Sequence, residues 1–140
     1  MKKNFPILIF ISLVFITTAQ NQQWMIVSSN ITFKIKNAGF TVNGKFGAVT
    51  GTIQFDETKT SGNKIEASID ANTISTDNSM RDGHLKKEEY FDVDKFPKIN
   101  MSTITITKES DGKFKGLFTL IIKGISKVVP VLFSVTEQEG

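Results

Sequence analysis

Most of the chain beyond residue 30 alternates apolar and polar residues with a period of two. Between residues 30 and 38, for example, Ile31, Phe33 and Ile35 alternate with polar side chains. Successive side chains of a strand point to opposite faces, so this alternation predicts a strand with one buried face. The same pattern recurs in segments 51–57, 64–71, 98–109, 113–124 and 127–137.

Irregular positions and turn signals complete the prediction of an antiparallel fold. In segment 98–109 the apolar residues change parity after Met101, which predicts a β-bulge near Ser102 and Thr103. Pro130 has no N–H to donate, so segment 127–137 is predicted to lie at a sheet edge, a strand start or a bulge. About seven short strands separated by turns are typical of an antiparallel sandwich or barrel. Hairpin signals occur at residues 37–40, 42–51, 60–63 and 110–113.

The two faces of the predicted strands differ in chemistry. A membrane barrel turns its apolar face to lipid and its polar face to the lumen. Here the face opposite the large apolar residues carries lysines and glutamates, so a soluble barrel with an apolar interior is predicted. Eight strands are the size at which a barrel either fills with side chains or holds one small ligand, and periodicity leaves both open. The candidate ligand-binding residues of the lumen are Phe33, Ile35, Phe46, Ile53, Phe55, Ile69, Met101, Phe114, Phe118, Leu120 and Phe133.

The first 19 residues have the order of a secretory signal peptide. Lys2 and Lys3 precede an apolar run over residues 7–16, and small residues follow up to Ala19. The run is shorter than the roughly 20 residues that a membrane span needs. We therefore predict cleavage after Ala19, a single domain over residues 20–140, no membrane span in the cleaved protein, and a periplasmic or secreted location.

The net charge and the cysteine content limit the classes of function that we expect for this chain. Loss of Lys2 and Lys3 with the signal lowers the formal net charge from +3 to about +1. No basic cluster with interleaved aromatic residues remains, so nucleic acid is not an expected partner. The chain has no cysteine, so the exported domain is expected to depend on its apolar core rather than on disulfides.

The stretch 75–97 contains the chain's only histidine, arginine and tyrosine. A catalytic triad there would need Asp82 to orient His84 towards a serine such as Ser79. Residues two apart on a helix point in different directions, which argues against this triad. His84 and Glu88 could share a helix face, but zinc sites usually draw on more than one histidine or cysteine. Neither a catalytic residue, a cofactor nor a metal is therefore assigned.

The spacing of the residues in stretch 75–97 fits a structural role better than a catalytic or metal-binding one. Asp82 is predicted to be the N-cap of a short helix that continues through residues 83–91. The stretch would then form a helical crossover between two strands and close one end of the barrel. The residues assigned to this structural crossover are Arg81, Asp82, His84, Tyr90 and Phe91.

Four motifs resemble those of the YceI-like family of lipid and polyisoprenoid binding proteins. They are "TISTD" at 73–77, "RDGHL" at 81–85, "EEYFDVDKFP" at 88–97 and "LFTLIIKGISKVV" at 117–129. The resemblance implies an antiparallel eight-stranded lipocalin-like barrel with one crossover helix and a long isoprenoid or similar amphiphilic lipid in its lumen. It implies no catalytic residue. Family members continue into a further strand pair, so the last strands are expected to be absent here, which would leave the barrel incomplete or paired with a second copy as a homodimer.

Three hypotheses for the function follow. The first is an exported, non-catalytic binding protein for a long apolar chain. The second is a hydrolase-like enzyme that acts on such a lipid around His84, Asp82 and Arg81. The third is a structural or stress-protective protein with a filled barrel and no ligand.

Overall fold

The computed structural model describes residues 23–37 and 39–136, and these residues form an antiparallel all-β fold with one short α-helix. The predicted signal peptide lies outside the described residues. In the described part of the chain, no helix is long and apolar enough to cross a membrane. The strands are β1 (Gln23–Trp24), β2 (Ile31–Asn37), β3 (Phe40–Phe46), β4 (Val49–Gln54), β5 (Lys64–Asp70), β6 (Lys98–Ser110), β7 (Lys113–Ile122) and β8 (Ile125–Ser134). A 3-10 helix (Ala71–Thr73) and helix α1 (Ser79–Leu85) lie between β5 and β6.

The strands form two sheets. Six of them pair in the order β1-β4-β5-β6-β7-β8, and β2 pairs with β3 in a separate hairpin. Every pairing is antiparallel. The antiparallel eight-stranded architecture with one crossover helix is thus confirmed, and the described strands do not close into a continuous barrel.

The parity change in β6 has the predicted cause. The β6–β7 register shifts between Thr103 and Thr105, which confirms a bulge at this place. Ile104 lies at the bulge and is 49% exposed, whereas Met101 and Ile106 on either side of it are half-buried. The extra residue therefore returns the second half of β6 to the inner face. Pro130 lies in β8, an edge strand of the described sheet, as its missing N–H predicts.

The hairpin signal at residues 42–51 is only partly correct. Most of this segment is strand, because β3 runs to Phe46 and β4 starts at Val49. Gly44 caused the error, since Asn-Gly usually marks a turn. In the structure Gly44 lies inside β3 opposite Phe33, and a Cβ at Gly44 would lie 2.1 Å from the Phe33 Cζ atom. This glycine makes room for an aromatic ring rather than for a turn.

Two groups of side chains fill the interior. Near the crossover, Ala71, Val93 and Ile99 are buried together and contact half-buried neighbours from β3 and β7. Towards the other end of β7, Phe114 and Phe118 are 2% and 1% exposed. The Phe114 ring packs edge-on against Phe55 at a centroid distance of 4.9 Å and stacks on Phe133 at 5.5 Å. Aromatic packing therefore fills this part of the inner face.

The segment between β5 and β6, residues 71–97, is called the crossover below. It holds the β2–β3 hairpin in place, because Lys45 of β3 and Ser75 exchange two backbone hydrogen bonds of 2.8 and 2.9 Å. The Phe46 ring packs edge-on against Phe91 of the crossover at 6.0 Å. At the other side, Lys123 Nζ donates to the Glu88 carbonyl oxygen. The crossover thus connects the hairpin to the β7–β8 turn.

Candidate functional site: a pocket between the hairpin and the crossover

A pocket of about 750 Å³ lies where the β2–β3 hairpin, the crossover and the end of β7 meet. This volume is within the range of roughly 300–1,000 Å³ that is usual for sites of small ligands. We call it the crossover pocket. Its apolar lining consists of Ile35, Val42, Met80, Leu85, Phe91 and Ile122. Its polar lining consists of Lys36, Thr76, Asn78, Arg81, His84 and Tyr90.

Helix α1 supplies much of this lining, and its start differs from the prediction. Asn78, not Asp82, is the N-cap, and its side-chain oxygen accepts from the Arg81 backbone N–H at 3.0 Å. The helix ends at Leu85, so the predicted continuation through residue 91 is wrong. Residues Glu88 to Phe91 form turns instead. Asn and Asp are comparably good N-caps, so residue preference alone does not decide between Asn78 and Asp82.

Asp82 has another partner, the buried Thr76. Its Oδ1 accepts from the Thr76 backbone N–H at 2.8 Å and from the Thr76 hydroxyl at 2.5 Å. The Thr76 hydroxyl donation, with smaller contributions from its backbone N–H and from Arg81, lowers the pKa of Asp82 below its ordinary value. Arg81 completes the arrangement, since its Nε donates to Thr76 Oγ1 at 2.7 Å and its Nη2 to the Thr76 carbonyl oxygen at 2.8 Å. Three polar groups thus fix the start of the helix.

This geometry gives the triad no support. The Asp82 carboxylate is directed to Thr76, and no hydrogen bond joins it to His84 in the described part of the chain. His84 is exposed and lines the crossover pocket. Within residues 23–37 and 39–136, no group of three His, Cys, Asp or Glu side chains is arranged to hold a metal ion.

The predicted lumen residues do not share one cavity. Ile35 lines the crossover pocket. Ile53, Phe55 and Phe133 line a second pocket of about 800 Å³ at the other end of the fold, next to residues 24–28. Phe114 and Phe118 are fully buried among other side chains and line neither pocket. Neither pocket is lined by Phe33, Phe46, Ile69, Met101 or Leu120, although Phe46, Ile69 and Leu120 pack against the core near the crossover.

The crossover residues lie closer to the pocket than the sequence indicated. Arg81, His84, Tyr90 and Phe91 all line it, and only Asp82 of the five does not. Sequence reasoning missed Val42, Met80, Leu85, Ile122 and Lys36 as lining residues. Lys36 has the parity of the outer face of β2, yet its long side chain lines the pocket at the edge of the hairpin. For Met80 and Leu85 the five-residue separation is not the spacing of one helix face, so the sequence pattern gave no clear signal.

A family model described as YceI-like domain matches residues 24–140. Protein YceI of Salmonella agona is 31% identical over 135 residues, which cover 92% of this chain and 70% of that protein.

Two solved structures share the fold. The Campylobacter jejuni YCEI protein has 30% identity and a TM-score of 0.62, over 71% of this chain and 59% of that one. The chain thus spans less than two thirds of that relative. A polyisoprenoid binding domain from Saccharophagus degradans, implicated in plant cell wall breakdown, has 15% identity and a TM-score of 0.52, over 74% and 59% of the two chains. The family model matches residues 24–140, which are most of the chain, so this chain belongs to the YceI-like family.

Proposed function

We propose that this protein is an exported, non-catalytic binding protein that holds a long isoprenoid or similar amphiphilic lipid in the crossover pocket. Family membership supports a binding role, and the related domain from Saccharophagus degradans is described as polyisoprenoid binding. The order of charged, apolar and small residues in 1–19 supports export.

The observation that carries the proposal is the exposure of large apolar side chains around the crossover pocket, although Met25 and Val27 at the second pocket are exposed too. Ile35, Met80 and the aromatic ring of Tyr90 line the crossover pocket, and these residues are 40%, 75% and 58% exposed. Clustered apolar side chains of this kind mark binding surfaces rather than ordinary protein surface. An apolar chain in the pocket would cover them, at a gain of about 0.8 kcal/mol for each methylene group removed from water. Binding would therefore strengthen with chain length.

The floor of the pocket supports the same function. Phe91 and Ile122 contribute to the pocket lining and also pack against the buried core residues. A floor that belongs to the core keeps its shape without ligand, so little conformational entropy has to be lost on binding. The exposed rim of α1 and the turn at Tyr90 can then adapt to different chains.

Direct binding tests this proposal. Protein purified from the periplasm or culture medium is extracted with organic solvent, and the extract is analysed by mass spectrometry. The delipidated protein is then titrated with a fluorescent polyisoprenoid. We expect a co-purified lipid and saturable binding of one lipid per chain.

A pair of variants locates the site. Met80→Glu places a charge in the wall of the crossover pocket, and because Met80 is 75% exposed the fold should tolerate it. Met25→Glu is the matched control, since Met25 is 87% exposed and lines the second pocket. We expect Met80→Glu to weaken binding at least tenfold, about 1.4 kcal/mol, and Met25→Glu to leave it unchanged. No extracted lipid together with no saturable binding would show that the proposal is wrong.

A further inference from the structure

We infer that the ligand of the crossover pocket carries an anionic headgroup, a carboxylate or a phosphate, which is bound by Arg81, Lys36 and His84. This inference rests on the proposed function and specifies the ligand class for the same site. The inference distinguishes anionic amphiphiles from neutral isoprenoids and waxes, which have an apolar chain but no anionic headgroup.

The charged groups that line the pocket are of one sign. Lys36 and Arg81 are the cations that line it, His84 lines it as a hydrogen-bonding group, and no aspartate or glutamate does. Lys36 comes from β2, whereas Arg81 and His84 come from α1, so two separate elements bring basic groups to the same space. A neutral headgroup could accept a hydrogen bond from these groups, whereas an anion would gain in addition from the charges of Lys36 and Arg81.

Arg81 is the central group because it is half-buried and its guanidinium is oriented. Nε and Nη2 each donate to Thr76, at 2.7 and 2.8 Å, which fixes the plane of the guanidinium. An arginine has five N–H donors, so three remain for another acceptor. A planar guanidinium with free donors matches the two oxygens of a carboxylate or phosphate.

No carboxylate of the described residues forms an ion pair with this arginine, although its charge contributes to the lowered pKa of Asp82. The ion pairs found in residues 23–37 and 39–136 involve lysines only, and none includes Arg81 or Lys36. The adjacent carboxylate, Asp82, accepts two hydrogen bonds from Thr76 and forms no ion pair with Arg81. Thr76 occupies two of the five donors of this half-buried guanidinium, and a ligand anion would accept hydrogen bonds from the remaining donors and pair with the charge.

The position of these groups also orients the ligand. The basic residues share the pocket with the apolar floor formed by Phe91 and Ile122. An amphiphile could therefore place its headgroup at Arg81 while its chain covers the floor and the exposed Ile35. The crossover pocket would then bind both the headgroup and the apolar chain of the ligand.

The experiment compares lipids that differ only in the headgroup. Delipidated full-length protein is titrated with palmitate and hexadecanol, and separately with farnesyl phosphate and farnesol. We expect each anion to bind at least tenfold more tightly than its alcohol, the size of one charge-assisted hydrogen bond. The two pairs distinguish a carboxylate from a phosphate as the preferred group. The preference should shrink at high salt, whereas binding of the alcohols should not weaken.

Three variants test the assigned residues. Arg81→Gln removes the charge, and circular dichroism shows whether the helix start survives the loss of its bonds to Thr76. Lys36→Gln removes a second charge from an exposed side chain, and Lys34→Gln is its matched control, because Lys34 lies on the same strand and does not line the pocket. We expect Arg81→Gln and Lys36→Gln to lower the ratio of anion affinity to alcohol affinity, and Lys34→Gln to leave this ratio unchanged.

The possible failures are distinct. Equal binding of anions and alcohols, unchanged in Lys36→Gln and Arg81→Gln, would overturn the anionic headgroup while the proposed lipid binding stands. Absence of binding by all four lipids would overturn both.

Discussion

The contact between Gly116 and the Phe118 ring offers a quantitative test of how the inner face is filled. Both residues lie on the inner face of β7 and are buried. A Cβ at Gly116 would lie 2.2 Å from Phe118 Cε2, 2.7 Å from Cζ and 3.1 Å from Cδ2. All three distances are below the roughly 3.5–4.0 Å of a favourable carbon contact. An alanine at 116 therefore forces the Phe118 ring to move.

The magnitudes follow from the chemistry of each change. Overpacking by Gly116→Ala is expected to cost about 1–3 kcal/mol. Phe118→Ala removes a ring that is 1% exposed and should cost about 3–5 kcal/mol. In the double variant the new methyl group occupies space that the ring has left. Its cost should therefore equal that of Phe118→Ala alone, which corresponds to a coupling of about 1–3 kcal/mol between the two positions.

Urea unfolding of the four proteins measures this coupling. Trp24, the chain's only tryptophan, reports on the fold by fluorescence because its indole N–H donates to the Phe55 carbonyl oxygen at 2.8 Å. Far-UV circular dichroism provides the second probe. If the two costs add to within about 0.5 kcal/mol, the ring does not lie over Gly116 and the described packing of the inner face is wrong.

Four further predictions concern the crossover. The pKa of Asp82 is lowered in the folded state, first of all by the Thr76 hydroxyl. The ionised carboxylate therefore stabilises the fold above the unfolded pKa of about 3.9, and this contribution is lost as pH falls through the folded pKa. In a series of melting temperatures measured in acid, Asp82→Asn should show a smaller pH dependence than the parent protein. Thr76→Val keeps the shape of the side chain, which belongs to a residue only 5% exposed, but it leaves Asp82 and Arg81 without their hydrogen bonds to the hydroxyl. Chemical denaturation should show a loss of about 1–3 kcal/mol in the free energy of unfolding. An unchanged midpoint would refute these hydrogen bonds. His84→Ala should keep the uptake of a neutral isoprenoid at saturating lipid, and loss of a turnover with the fold intact would instead favour the enzyme hypothesis. As a folding control, Gly83→Ala should stabilise the protein by about 0.5–1 kcal/mol, because a Cβ at Gly83 meets no atom within 4 Å.

The sequence was sufficient for much of the fold because strand faces depend on local alternation. The strand segments 51–57 and 113–124 correspond to β4 and β7, and the parity change in β6 located its bulge. The strand β3 was missed because a glycine such as Gly44 can indicate either a turn or a site of close packing, and the sequence does not distinguish the two. Only the position of the Phe33 ring, which is a tertiary contact, distinguishes the two.

The site was less accessible to sequence reasoning because it depends on contacts between distant segments. Lys36 and Arg81 are far apart in the chain, and both line the crossover pocket because contacts such as the Lys45–Ser75 bridge join the hairpin to the crossover. Strand parity assigned Lys36 to the outer face and gave no indication of how far its side chain reaches. Similarly, alternation placed Phe114 and Phe118 inward but could not separate a residue that packs from one that lines a pocket.

Photo-crosslinking tests most directly whether the crossover pocket is the lipid site. A long-chain lipid with a diazirine in its chain is bound at one equivalent, irradiated, and the modified peptides are identified by mass spectrometry. The crossover pocket predicts crosslinks concentrated in residues 35–42 and 80–91, which are displaced by excess unlabelled lipid. Crosslinks confined to residues 24–28 and 133–136 of the second pocket, or a pattern that excess lipid does not displace, would contradict it.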